Sequence, residues 1–213
     1  MRQRTVEILS RLEKLYLNPK SELKFKNNFE LIVSVILSAQ CTDKRVNLVT
    51  PKLFEIAPNP YVLSTMPINE LEKMIFPCGF YRMKSKHLHE MSCQLVEKFN
   101  GEVPDDFDVL QTLSGVGRKT ANVVCAVGFN KDAIAVDTHV YRVSHRLGLA
   151  QSKDVLKTEL ELQESIDKTM WSKSHHLLLL FGRYVCKSQT PKCKECTLYD
   201  LCEYNAKTHK NDV

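Results

Sequence analysis

The sequence predicts an all-α fold, and three observations carry that prediction. Apolar residues recur at three- and four-residue spacing along most of the 213-residue chain. No run alternates apolar and polar residues between turn pairs, so no strand is expected, and residues 133–136 are apolar but too short to read as one. Gly, Pro and Asn punctuate the chain at intervals that suit helices, which gives about ten to twelve of them.

Taken in order, Val6, Leu9, Leu12, Leu15 and Tyr16 mark an amphipathic helix that Asn18-Pro19 ends. Residues 29–39 are apolar nearly all round, as in a helix buried in a core. Thr42 or Asp43 caps the next helix, which carries Val46, Val49, Leu53 and Phe54. Pro58, Pro60 and Pro67 bracket a short helix, and Leu71, Met74 and Ile75 belong to another that stops near Pro77. Residues 78–82 turn the chain into a long helix with Leu88, Met91, Leu95 and Phe99 on one face. Asn100-Gly101 stops it. Asp105 or Asp106 caps a short helix through Val109 and Leu110. Later come a helix with Val140, Val143 and Leu147, one with Val155, Leu156, Leu160 and Leu162, and an apolar one over residues 174–185. There is no internal repeat, and no linker splits the chain into independent halves.

Residues 113–143 carry the strongest chemical signal. Leu113-Ser114-Gly115-Val116-Gly117 is too rich in glycine to continue a helix. Two glycines one residue apart make a tight turn and leave backbone amides uncovered by side chains. A helix starts at Arg118, with Ala121, Val124, Cys125 and Gly128 on one side. Bare amides at a helix start suit a phosphate. Lys119 lies in that first turn, where the positive end of the dipole disfavours an ammonium. Its pKa is therefore expected to fall, and an amine that is neutral part of the time is a nucleophile. Asp137 stands just ahead of another helical pattern, where it can cap that helix.

The formal net charge is +5, from Lys and Arg dispersed along the chain. That permits nucleic-acid binding through a folded basic face. The N-terminus has no apolar signal core, and the apolar runs at 31–37 and 177–181 are too short to span a membrane. An intracellular, cytoplasmic protein with no membrane partner is expected. In such a compartment the eight cysteines point to metal or core roles rather than disulfides. Cys186, Cys193, Cys196 and Cys202 are spaced C-x6-C-x2-C-x5-C, which suits thiolate ligation of zinc or of an iron–sulfur cluster. Lys187, Lys192 and Lys194 lie in or beside the intervening loop. Cys41, Cys78, Cys93 and Cys125 are scattered; Cys125 reads as a small core residue.

The pairing of LSGVGRKTANVV with AVDTHVYRV resembles the helix-hairpin-helix DNA glycosylases, in their endonuclease III branch. The cysteine spacing resembles the [4Fe-4S] signature of that branch in every interval. The resemblance covers nearly the whole chain. It implies a six-helix barrel domain over residues 20–131, carrying the hairpin. Residues 1–19 and 132–213 then form a cluster domain built from both termini, with a cleft between the domains. It implies that Lys119 attacks the sugar, that Asp137 completes the site, and that Gly115, Val116, Gly117 and Arg118 meet the DNA backbone. Gln40, in Ser38-Ala39-Gln40-Cys41-Thr42-Asp43, and Phe80 are the positions that enter the duplex, with Lys192 on a basic loop beside the cluster. Phe80 stands where leucine is usual. Ser114 stands where proline is usual, which is expected to loosen the turn slightly. The implied activity removes oxidised or ring-saturated pyrimidines from double-stranded damaged DNA and cuts the abasic site by β-elimination through a Lys119 Schiff base. The enzyme is expected to be a monomer, associated with the nucleoid when on DNA. Two alternatives stand beside it: a non-catalytic hairpin module with a four-cysteine zinc knot, and an adenine- or mismatch-specific glycosylase of the same superfamily.

Overall fold

The computed structural model describes residues 3–204. These hold eleven α-helices and no strand. They divide into two compact units: Ser21–Asn130, and the chain up to Lys20 together with the chain from Lys131.

Helix α1 (Gln3–Leu15) belongs to the second of these units. Its buried stripe is Thr5, Ile8, Leu9 and Leu12, while Val6 and Leu15 are exposed. The sequence pattern placed Val6 on the buried stripe; Thr5 holds that position instead, one step round the helix.

The Ser21–Asn130 unit is organised around α2 (Asn28–Ser38). Asn27 caps it by accepting from the Glu30 N–H, and Phe29 through Leu37 are all buried. Each Leu or Ile so buried contributes roughly 1.5–3 kcal/mol. This helix packs against α3 (Asp43–Ile56), α6 (Tyr81–Phe99) and α8 (Arg118–Val123). Thr42, not Asp43, caps α3, and Pro51 lies within it, so one backbone bond is missing there. Asn59 caps α4 (Pro60–Thr65), and α5 (Ile68–Ile75) follows Pro67. Helices α4 and α5 both pack on α6. Asn100 and Gly101 end α6 in the left-handed region, where the Gly101 N–H bonds to Leu95 O at 2.9 Å. Asp106, rather than Asp105, caps α7 (Phe107–Leu110) by accepting from two amides. After α8 the chain widens into a π-helical stretch, Val124–Gly128. A Cβ on Gly128 would come within 2.8 Å of Asn28 Oδ1 and 3.0 Å of Leu31 Cδ2, so those side-chain ends would have to shift.

The other unit continues with α9 (Thr138–Arg146), α10 (Val155–Ser165) and α11 (Trp171–Tyr184). Short 3-10 turns form at Lys168–Met170, Cys193–Glu195 and Tyr199–Leu201. Ile8, Leu12, Val140, Val143, Leu162, Leu177 and Phe181 make its core. Helix α10 lies where the pattern put it, but only Leu162 of its predicted face is buried; Val155, Leu156 and Leu160 are exposed, and Thr158 and Glu159 take the inner side. Residues 133–136 are buried and belong to no helix or strand, with Ala135 O accepting from His175 Nδ1 at 2.8 Å. Among the described residues no helix is long and apolar enough to cross a membrane.

Candidate active site and thiol centre

The glycine turn is held more firmly than its composition suggests. Gly115 has φ +76°, and a Cβ there would lie 2.8 Å from His87 Cβ on α6. Only glycine fits both the dihedral and the space. The Ser114 N–H donates to Gln94 Oε1 at 2.7 Å, and Ser114 Oγ donates to Glu90 Oε2 at 2.7 Å. Ser114 was expected to loosen this turn relative to proline. Instead it ties the turn to α6 by two hydrogen bonds, neither of which proline can make.

The amides of the turn differ in what they offer. The Val116 N–H is already taken by Leu113 O at 3.1 Å, and its side chain is buried. Val116 is thus anchored in the turn through both its amide and its side chain. Gly117 caps α8 with ordinary extended dihedrals, φ −92° and ψ 178°. A Cβ there would meet nothing within 4 Å, so packing within the protein does not require glycine. Arg118 lays its guanidinium over the Phe107 ring, 5.0 Å from the centroid. Lys119, the second residue of α8, is exposed.

Two further turns of this unit approach each other. Gln40 follows α2 with φ +53°, and Phe80 precedes α6 with φ +57°. Both are non-glycine residues in the left-handed region, a conformation that costs of order 1–3 kcal/mol and clusters at functional sites. Both are exposed, Phe80 by 59%. An anchoring role for Phe80 in the core is thereby ruled out. A Cβ on Gly79 would lie 3.5 Å from Gln40 O, so the two turns are neighbours.

In the other unit, Asp137 caps α9. Its Oδ1 accepts from the His139 N–H at 2.9 Å and the Val140 N–H at 2.7 Å. Among the described residues Oδ2 accepts no hydrogen bond. His139 Nδ1 lies 3.1 Å from Arg142 Nη2, which donates to it.

Cys186, Cys193, Cys196 and Cys202 line one shallow cavity. Arg146 Nη1 donates to Cys186 Sγ at 3.4 Å, and Arg142 Nε donates to Cys186 O at 3.0 Å. Cys202 Sγ donates to Arg146 O at 3.3 Å. Burial pushes the Cys186 and Cys196 thiols up; the Arg146 bond opposes this at Cys186, and the Leu198 amide opposes it at Cys196. Among the described residues no three or more His, Cys, Asp or Glu side chains form a group that could hold a metal ion. Lys192 is exposed, and its N–H bonds to Val185 O at 3.0 Å, which fixes the loop between the first two cysteines. The Arg142 and Arg146 contacts were not foreseen. Their four-residue spacing on α9, ahead of the first cysteine, was the available signal.

An all-helical fold with a glycine hairpin, an exposed lysine behind it and a four-thiol cavity defines a class of DNA repair protein. Residues 33–168 match the family described as the HhH-GPD superfamily base excision DNA repair protein, and the chain belongs to that family. It is 47% identical to endonuclease III of Bacillus subtilis over 96% of this chain and 94% of that protein. It is 41% identical to endonuclease III of Escherichia coli K12 over 95% and 96%. Its backbone is similar to the structure of a trapped endonuclease III–DNA covalent intermediate, with a TM-score of 0.91 and 46% identity over 95% of this chain and 97% of that one. A thermostable thymine-DNA glycosylase shares the fold, at TM-score 0.81 and 22% identity.

Proposed function

We propose that this protein is a bifunctional DNA glycosylase and abasic-site lyase of base excision repair, with Lys119 as the nucleophile. The observation that carries the reading is the exposed lysine in the first turn of α8, directly behind a rigid glycine turn. Its support is the likeness to a protein whose covalent intermediate with DNA has been trapped.

The duplex hides a glycosidic bond, so the nucleotide must leave the stack. Gln40 and Phe80, exposed on adjoining turns, enter the space it vacates, and an aromatic ring stacks there. Gly115, Val116, Gly117 and Arg118 hold the backbone, with the open space over Gly117 letting a phosphate reach the turn. The Lys119 dipole position favours the neutral amine. Its lone pair forms a bond to C1′ as the bond from C1′ to the base breaks, and the base leaves with a proton. Loss of a proton from that nitrogen and opening of the sugar, as the C1′–O4′ bond breaks and O4′ takes up a proton, give an imine that acidifies the C2′ proton; its removal expels the 3′ phosphate and cuts the strand. Asp137 stabilises positive charge at the sugar through the oxygen that does not cap α9, and accepts the proton that Lys119 must lose.

The four thiols around one cavity, with guanidinium groups of Arg142 and Arg146 beside Cys186, fit a [4Fe-4S] cluster held by Cys186, Cys193, Cys196 and Cys202. Bound there, the cluster would cross-link the C-terminal loops and order them. Lys192 then meets phosphates, and changing it to Glu weakens binding to all DNA alike. Oxidised or ring-saturated pyrimidines in double-stranded DNA are the substrate, a monomer is the active form, and the nucleoid in the cytoplasm is the place of action. The zinc-knot module and the adenine- or mismatch-specific enzyme are not favoured by the relatives.

Borohydride trapping on an oxidised duplex tests the nucleophile. Wild type should give a covalent protein–DNA adduct, and Lys119→Ala should give none. A full-yield adduct with Lys119→Ala refutes the assignment.

A further inference from the structure

Cys41 and Cys78 take no part in the chemistry above, yet the fold sets them side by side. Cys41 follows Gln40, and its N–H bonds to Ser38 O at 3.0 Å. Cys78 precedes Gly79 and Phe80, and its N–H bonds to Ile75 O at 2.8 Å. The two turns meet where Gly79 faces Gln40 O. There the two thiols lie close enough to interact directly. Neither is in a disulfide; Cys78 is fully buried and Cys41 partly exposed.

The charge around them is positive. Lys84, only 4% exposed, donates from Nζ to Leu37 O at 2.8 Å; burial pulls its pKa down, and the two thiols beside it oppose that by favouring the ammonium. Arg45, bonded to Pro77 O at 3.3 Å, adds its charge at Cys78. Cations beside a thiol favour the thiolate, which is the reactive form. Burial nonetheless pushes the Cys78 thiol up to about 11. Cys41, the accessible member, therefore meets an oxidant first, and Cys78 is placed to resolve it.

We propose that Cys41 and Cys78 are an oxidisable dithiol that hydrogen peroxide converts to a disulfide, tying the Gln40 turn to the Phe80 turn. The Cys41 thiolate attacks one peroxide oxygen, the O–O bond breaks, and hydroxide leaves to take up a proton as water. The sulfenic acid so formed on Cys41 is attacked by Cys78 sulfur. The S–S bond forms, the S–O bond breaks, and the departing hydroxide takes the Cys78 proton as a second water. Both sulfurs are oxidised and one peroxide is reduced to two waters. The consequence for DNA rests on Gln40 and Phe80 being the residues that enter the duplex. A cross-link one residue from Gln40 and two from Phe80 holds both turns at their free-protein spacing and opposes any adjustment on binding.

The test treats the full-length protein with hydrogen peroxide, blocks remaining thiols with N-ethylmaleimide, and maps an unreduced digest by mass spectrometry. A linked Cys41–Cys78 peptide is expected. Affinity for an undamaged duplex should fall about tenfold, the loss of one good contact, and return with dithiothreitol. Cys41→Ser, which keeps every other cysteine, should form no linked peptide and hold its affinity through the same treatment. The proposal is overturned if no linked Cys41–Cys78 peptide forms, if the linked protein binds DNA as before, or if Cys41→Ser loses affinity equally. Borohydride trapping uses reduced protein, so a failure of the glycosylase reading appears there and not in this experiment.

Discussion

The two hairpin glycines should respond to the same substitution in opposite ways. Gly115→Ala places a side chain at φ +76°, which costs about 1–2 kcal/mol in backbone strain. It also drives a Cβ to 2.8 Å from His87 Cβ, an atom fixed by the α6 backbone. Overpacking of this kind costs roughly 1–3 kcal/mol. The sum, about 2–5 kcal/mol, should lower the thermal midpoint by roughly 5–15 °C for a chain of this size. Gly117→Ala meets no atom within 4 Å and keeps an ordinary extended backbone. It should leave stability unchanged or raise it by about 0.4–1 kcal/mol, because the unfolded chain loses freedom. Its cost should fall on DNA instead, since the new methyl group occupies the approach to the amides. Losing a hydrogen bond to a charged phosphate costs about 1.5–3 kcal/mol, or roughly 10- to 150-fold in affinity. Thermal unfolding followed by circular dichroism, with duplex affinity measured at one fixed salt concentration, separates the two effects. Gly117→Ala unfolding as early as Gly115→Ala, or binding duplex with wild-type affinity, refutes the reasoning.

Other outcomes follow from the same coordinates. Ser114→Ala removes the bond to Glu90, whose side chain is 45% exposed, and should cost about 1 kcal/mol in urea unfolding. Ser114→Pro also removes the Gln94 bond; Gln94→Leu should then add little, whereas alone it leaves the Ser114 amide unpaired, so a double-mutant cycle should show coupling. Burial, with His175 adjacent, lowers His176 from 6.5 to about 3. Between those values the unfolded chain binds a proton that the folded chain refuses. The stability from this site is complete above pH 6.5 and is lost as pH falls toward 3. His176→Leu should flatten that acid limb by up to about 4 kcal/mol in unfolding measured against pH. Arg146→Leu loses bonds to Cys186 Sγ, Lys187 O and Ser188 O, and should release iron several-fold faster on dialysis, read as bleaching of visible absorbance; equal retention would show that the guanidinium does not support the cluster.

Much of this protein is written in local spacing. Helix starts were legible because a cap acts within three residues: Thr42, Asp106 and Asp137 each accept from amides two or three positions on. The all-α class followed from periodicity, and the glycine turn from residue types that only such a turn accommodates. Faces were less legible: Val6, Leu156 and Leu160 match a helical stripe, yet which side faces inward depends on the neighbouring helix.

The sequence by itself determined where most helices lie, that a glycine turn precedes Lys119, and that four cysteines are closely spaced near the C-terminus. Only the tertiary structure decided that Ser114 is clamped by Glu90 and Gln94 on α6, that Arg146 reaches Cys186, and that Cys41 meets Cys78 beside a buried Lys84. The reason is physical. Caps and turns are set by bonds between residues a few positions apart, so composition and spacing encode them. A contact between distant segments exists only once apolar faces have packed and fixed which side chains are brought within reach of each other.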